Sequence, residues 1–282
     1  MSRIDRFKSV NKAISVLRCF DPQNLELSAS EISKKVGIHR VTAYRLLETL
    51  LREGVLEKND NTGKYRIGPE LYILGNLYLM STDLLKAAEP VIKTLNDLTG
   101  ETVNLGIFDK GNVTIVLQEE STYAFKFSLH VGSILPAYAP AIGKAFLGEL
   151  REEEIKEIYP EESLQQLTKK TVTSRTALIE ELRWIKKTGV SFNHEEAYVG
   201  VEGIGTVVRD VSGQVVAAIS ISVPVFRIDE VIRKQLAVLV RMGAGLISYR
   251  LGYHSQDNSI RDIAQLRSWF KQNQADAVTL LD

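Results

Sequence analysis

Arg40, Val41, Thr42, Tyr44 and Arg45 are the side chains whose types and spacing are best suited to chemistry in this chain. Two guanidiniums, a phenol and branched apolar surface fall on consecutive turns of one amphipathic segment. A guanidinium can donate two hydrogen bonds to the O6/N7 edge of guanine, and a valine offers contact to the thymine methyl. Lys58, Lys64 and Arg66 follow closely and supply cations for phosphates. The chemistry these residues suit is recognition of a double-stranded DNA operator. Bond-making chemistry is poorly served. His194-Glu195-Glu196 lacks the second histidine of H-E-x-x-H, so a zinc hydrolase site fails on spacing. His39, His130, His194 and His254 are scattered, with no cysteine beside them to complete a metal set. Gly203-Ile204-Gly205 lacks the third glycine and the following helix of a dinucleotide fingerprint, and no G-x-S-x-G elbow occurs. No catalytic residue, metal or cofactor is expected. Two alternatives stay open: a winged-helix head fused to a small-molecule-processing enzyme domain, and a winged-helix module used only for protein contacts.

The recognition residues need a scaffold, and residues 28–68 encode one. Ser28 with Glu31 fits the capping box, in which each residue satisfies an orphan donor of the first helical turn. Ile32 and Val36 give one apolar stripe, and Gly37 ends the helix. In the next segment Ala43, Leu46, Leu47 and Leu50 share one face and the basic residues the other, as a recognition helix requires. Gly54 stops it. Short runs at 55–58 and 64–67 then flank the polar turn Asn59-Asp60-Asn61-Thr62-Gly63. Helix, turn, helix and hairpin in this order predict a winged helix-turn-helix.

Charge is distributed to match. The chain is neutral, with 35 Lys/Arg and 35 Asp/Glu, yet residues 1–68 hold 13 basic against 8 acidic side chains. The net +5 of the head balances −5 on the remainder, which suits a phosphate-binding head on a body that avoids non-specific contact. At 282 residues two independent cores are expected. No apolar run approaches the roughly 20 residues of a membrane span and no signal-peptide pattern opens the chain, so a cytoplasmic protein without membrane contact is expected. The lone Cys19 lies among apolar positions and is read as core packing.

Residues 69–82 continue as an apolar, helix-compatible linker. Leu71, Ile73, Leu74, Leu77, Tyr78 and Met80 are too many apolar positions for one stripe on a small domain. A partner chain would cover the excess, which predicts a dimer with two recognition helices about 34 Å apart, or a multiple of that. Residues 83–250 alternate strands with segregated helices. Helices are predicted at 84–98, 139–150, 176–187 and 228–249, and strands in TVNLGIF, NVTIVLQEE, YAFKFSLH, VGVEGIGTVVRD and QVVAAISISVP. The class is α+β, with a mostly antiparallel sheet and helices packed on it. Residues 251–282 read as a polar tail with a helix near 261–270.

SVNKAISVLRCF, LSASEISKKVGIHRVTAYRLLETLLREG, GKYRIGPELYILG, TGETVNLGIFDKG, AIGKAFL, TGVSFNHEEAYVGVEGIGTVVRD and VVAAISIS occur in order along nearly the whole chain. In these stretches the chain resembles the IclR family of bacterial transcriptional regulators. The resemblance implies a winged-helix head over 1–68, a linker helix over 69–82 and a GAF-like effector-binding and oligomerisation domain over 83–250. It also implies a homodimer or a dimer of dimers that binds a small effector, often an organic or aromatic acid. Its ligand pocket maps onto Ala141, Ile142 and Gly143, expected to present backbone N–H groups to a carboxylate. It maps also onto Asn193, Glu196, Gly203, Ser220 and Ser222, the two serines sharing one strand face. Asn193 stands where the family often has Asp or Ser. Gly203 stands where Cys, Ser or Ala is common, and its missing side chain is expected to widen the pocket or free a backbone contact. A ligand that favours one domain packing would alter the separation of the two heads through the linker helix at 70–80.

Overall fold

The computed structural model describes residues 8–21, 23–81, 83–127, 129–254 and 260–273, with the side chains of 76–81 left undescribed. The chain divides into two units, Met1–Thr82 and Asp83–Asp282.

The first unit contains α1 (Lys8–Leu17), α2 (Ala29–Val36), α3 (Arg40–Arg52), a hairpin of β1 (Leu56–Lys58) and β2 (Tyr65–Ile67), and α4 (Pro69–Ser81). Its core joins Val16, Cys19, Leu27, Ile32, Leu47, Leu56 and Tyr65. The capping box at Ser28 forms as the sequence predicts: the Glu31 N–H donates to Ser28 Oγ at 3.3 Å and the Ser28 N–H to Glu31 Oε2 at 2.8 Å. Gly37 closes α2 in the left-handed region at φ 68°. Ser28→Ala removes one of these donors' partners and is expected to cost about 1 kcal/mol, read as a lower urea midpoint with an unchanged slope.

The second unit is built on a six-stranded antiparallel sheet of β3 (Thr102–Asp109), β4 (Asn112–Glu119), β5 (Ile134–Pro136), β6 (Ser191–His194), β7 (Val201–Arg209) and β8 (Val215–Pro224). The strands lie in the order β5-β4-β3-β8-β7-β6. One face carries Val103, Leu105, Ile204, Val208, Ala217, Ile219 and Ile221, buried against α5 (Asp83–Thr99) and α9 (Glu230–Arg250). Side chains alternate along each strand, so the other face receives the residues between them. There α6 (Ala141–Leu147) packs across β7 and β8, backed by α7 (Glu152–Ile158) and α8 (Arg175–Thr188).

One sequence expectation changes, and the helix expected near 261–270 is present. YAFKFSLH, patterned as a strand, contains no strand residue among its described positions; side chains from Thr102 and Arg227 take carbonyls of this stretch instead. The polar tail contains α10 (Ile263–Asn273), which packs on α5 and α9 with Leu266 fully buried and Ile263, Trp269 and Phe270 beside it. A spacing of three or four between these apolar residues is enough to seat a mostly polar helix, and Arg267 adds an ion pair to Asp97 at 2.7 Å.

Candidate functional site

The basic surface of the head sits on α3 and the hairpin. Ala43 and Leu47 are buried, while Arg40, at the first position of α3, and Val41, Tyr44 and Arg45 are exposed and Thr42 is half-buried. Arg40 makes one long hydrogen bond, Nη2 to Ser30 Oγ at 3.3 Å. In the hairpin, Lys58 rests its ammonium 5.6 Å above the Tyr65 ring, Arg66 pairs with the exposed Glu57 at 2.7 Å, and Lys64 is half-buried. Exposed ion pairs contribute little, so Arg66 can exchange Glu57 for a phosphate at small cost. Glu26 accepts hydrogen bonds from Asn59 Nδ2 at 2.9 Å and Thr62 Oγ1 at 3.4 Å, which ties the turn of the hairpin back to the domain.

The second unit holds a pocket between the α6 face of the sheet and α6 itself. It is lined by Ala141, Ile142, Asn193, Gly203, Ser220 and Ser222 together with Asn104, Phe127, Leu129 and Tyr198. Register explains the convergence. Asn193, Gly203, Ser222 and Thr102 are cross-strand neighbours in one row, and Ser191, Gly205, Ser220, Asn104 and Gln118 form the next. Ser191 fixes the roof: its hydroxyl lies 2.6 Å from the Ala141 carbonyl and 3.0 Å from that of Gly205. The cavity volume is about 20 Å³, room for about one water. The site is narrow.

The hydrogen bonds around the pocket set its polarity. Asn193 Oδ1 accepts the Glu196 N–H at 2.6 Å, which directs the Asn193 amide nitrogen toward Gly203. Gln118 Nε2 donates to Asn104 Oδ1 at 2.7 Å, and Asn104 Nδ2 donates to Ser222 Oγ at 3.3 Å. With its oxygen already accepting, the Ser222 hydroxyl has its proton available to another acceptor. Burial raises the Tyr198 phenol above its ordinary value, so it stays protonated.

Three residues of the expected pocket are placed differently from the expectation. Gly143 does not line the pocket: its N–H donates to the Pro140 carbonyl at 3.0 Å, and a Cβ there would lie 2.3 Å from the Ala137 carbonyl oxygen. Its role is close packing. Glu196 also lies behind the wall, and its carboxylate receives the fully buried Lys144 ammonium at 2.7 and 2.9 Å. Lys144 is shared with Glu181 at 2.6 Å. Burial pushes the Glu196 carboxyl above the ordinary glutamate range, against the pull of Lys144. Lastly, the space freed at Gly203 is taken up by the roof, since a Cβ on Gly203 would meet that of Ala141 at 3.3 Å. Asn104, Gln118, Phe127, Tyr198 and Lys144 escape the sequence reading. A polar Asn104 inside the apolar strand TVNLGIF is the one signal that could have marked them.

Among the described residues no group of three or more His, Cys, Asp or Glu could hold a metal ion, and no helix is long and apolar enough to cross a membrane. A winged head with an arginine-bearing recognition helix, joined to a unit with a small polar pocket, defines a transcription regulator. Residues 9–60 match the IclR helix-turn-helix domain, and residues 76–249 match the bacterial transcriptional regulator IclR C-terminal domain. The chain belongs to the IclR family of DNA-binding transcriptional regulators. The HTH-type transcriptional regulator KdgR of Escherichia coli K12 is 30% identical over 250 residues, 89% of this chain and 95% of that protein. The crystal structure of Thermotoga maritima IclR superposes with a TM-score of 0.68 at 26% identity, over 86% of this chain and 98% of that one. An IclR homolog from Microbacterium hydrocarbonoxydans, complexed with 4-hydroxybenzoate, shares the fold with a TM-score of 0.76 at 23% identity, over 86% and 98% of the two chains. The enzyme alternative finds no support among these relatives.

Proposed function

We propose that this protein is an effector-gated regulator whose operator affinity is set by a small organic acid bound in the pocket of the second unit. The observation that carries this reading is the polarity of the lining. Asn193 presents its amide nitrogen, Ser222 a free hydroxyl proton and Ser220 a second hydroxyl, with no charged side chain among the residues that line the pocket. Such a set of donors matches the acceptor-only oxygens of a carboxylate, and Ala141 and Ile142 add their backbone at the roof. The volume of about 20 Å³ implies that a wall moves outward when a ligand enters.

Arg40, Val41, Thr42, Tyr44 and Arg45 are the DNA-reading residues in this proposal, with Lys58, Lys64 and Arg66 on phosphates. The protein acts as a homodimer in the cytoplasm. Tyr72, Ile73 and Leu74 of α4 are exposed, and a second α4 would cover them; the side chains of Leu77, Tyr78 and Met80 lie outside the described residues. Effector and operator are coupled by as much as the ligand prefers one spacing of the heads, typically about 1–3 kcal/mol.

The test is a thermal-shift screen against sugar acids and aromatic acids, 4-hydroxybenzoate included. A ligand at a hundred times its dissociation constant adds about 2.7 kcal/mol of stability, seen as a raised melting temperature. Ser220→Ala/Ser222→Ala is expected to abolish the shift. Shifts produced only by uncharged or cationic compounds would rule the acid reading out.

A further inference from the structure

Segment 121–127 ends on Phe127, which lines the pocket and meets Tyr198 with ring centroids 4.7 Å apart. The segment is not a strand, so something other than a ladder must hold it. Part of the answer is Thr102, whose hydroxyl donates to the Phe127 carbonyl at 2.8 Å and accepts the Ser121 N–H at 3.1 Å. The larger part is Arg227, a residue that lines no part of the pocket. Its Nε and Nη2 donate to the two oxygens of Glu101 at 2.7 and 2.8 Å, and Nη1 donates to the Phe125 carbonyl at 2.8 Å. The guanidinium carbon lies 4.5 Å from the Tyr123 ring centroid and 5.2 Å from that of Phe226. Phe125 in turn meets Phe226 edge-on at 6.4 Å.

This is unlike a surface ion pair. Glu101 is 7% exposed and Arg227 19%, the fork is bidentate, and a third N–H reaches the segment's backbone. Such charge-assisted bonds are stronger than neutral ones, and they are lost together when the planar fork is lost. Arg227 follows β8, the strand of Ser220 and Ser222, while Glu101 precedes β3, the strand of Asn104. The two central strands that present the donors therefore also carry the clamp on the wall.

We propose that Arg227 is a positioning residue of the effector pocket: anchored by Glu101, it ties segment 121–127 to the sheet and keeps Phe127 over the site. This rests on the effector reading for what the pocket holds, but the clamp can be tested without a ligand. Hydrogen–deuterium exchange on the full chain compares wild type with Arg227→Gln, Arg227→Lys and Glu101→Gln. Exchange at 122–127 should rise about tenfold or more in Arg227→Gln. Trypsin should cut faster after Lys126. Amides of β3 and β8 and the operator affinity of the ligand-free protein should not change. Arg227→Lys keeps the charge but not the fork and should recover only part of the protection; Glu101→Gln should fall between it and wild type. Unchanged exchange at 122–127, or a rise spread evenly through the second unit, would overturn the proposal. An acid found in the screen should dissociate faster from Arg227→Gln, and equal dissociation from a loosened variant would also overturn it. A loosened wall in a protein that binds no acid at all would count against the effector reading alone.

Discussion

Alanine at both Arg40 and Arg45 is expected to raise the operator dissociation constant by at least about 30-fold, the low end of two interactions worth about 1–3 kcal/mol each. Both side chains are exposed, Arg40 at the first position of α3 and Arg45 away from Ala43 and Leu47, so neither substitution opens a core, and the melting temperature should hold. Titrating each single variant against salt separates their roles. Removing a cation that sits on a phosphate lowers the slope of log K against log salt by about 0.9. Removing one that reads a base edge leaves the slope as it was and relaxes the sequence preference. Arg66→Ala should do less, because Arg66 is already shared with Glu57. Operator binding unchanged in the double variant would remove α3 from the groove.

Lys144→Met is expected to destabilise the second unit by about 3–5 kcal/mol, because it strands the Glu196 carboxylate in a buried site. The deficit should depend on pH with a definite sign. Burial already holds the Glu196 pKa above its ordinary value of 4.5, and Lys144 is what pulls it down. Without the lysine the folded-state pKa rises further. A raised folded pKa means stability that is present at low pH and lost as pH climbs through that value. The gap between variant and wild type should thus be widest above that raised pKa and shrink as pH falls toward 4.5, measured by urea unfolding at a series of pH values. Lys144→Met/Glu196→Gln leaves no bare charge at that position and should recover much of the loss. A pH-independent gap would show that packing around Lys144, and not its charge, is what matters.

The head is legible in the sequence because its devices are local. Ser28 and Glu31 are three residues apart, Gly37 closes the same helix, and the turn at 59–63 announces the hairpin. The late hairpin of β7 and β8 is legible for the same reason, its turn at Ser212-Gly213 lying between alternating runs. What escapes depends on distant partners. Nothing local gives Lys144 a partner; Glu181 and Glu196, which hold it, lie 37 and 52 residues on. Segment 121–127 has the alternation of a strand, but Arg227, 102 residues beyond Phe125, takes a carbonyl a ladder would have used. β6 is four residues long with a polar Ser-Asn face, too short and too polar to stand out, yet it carries Asn193. Gly203 invites the idea of extra room, and only the approach of Ala141 shows where that room goes.

The burial of Lys144 also gives the molecule a built-in chemical reporter. An amine with no solvent exposure cannot meet an acylating reagent in the closed fold, whereas lysines on the surface react at once. Acylation at this one nitrogen must wait for the second unit to open, so at a fixed reagent concentration its rate follows the population of the open form. A compound seated beneath α6 would slow that reaction in proportion to its occupancy, and mass spectrometry of a single peptide could read it inside a living cell.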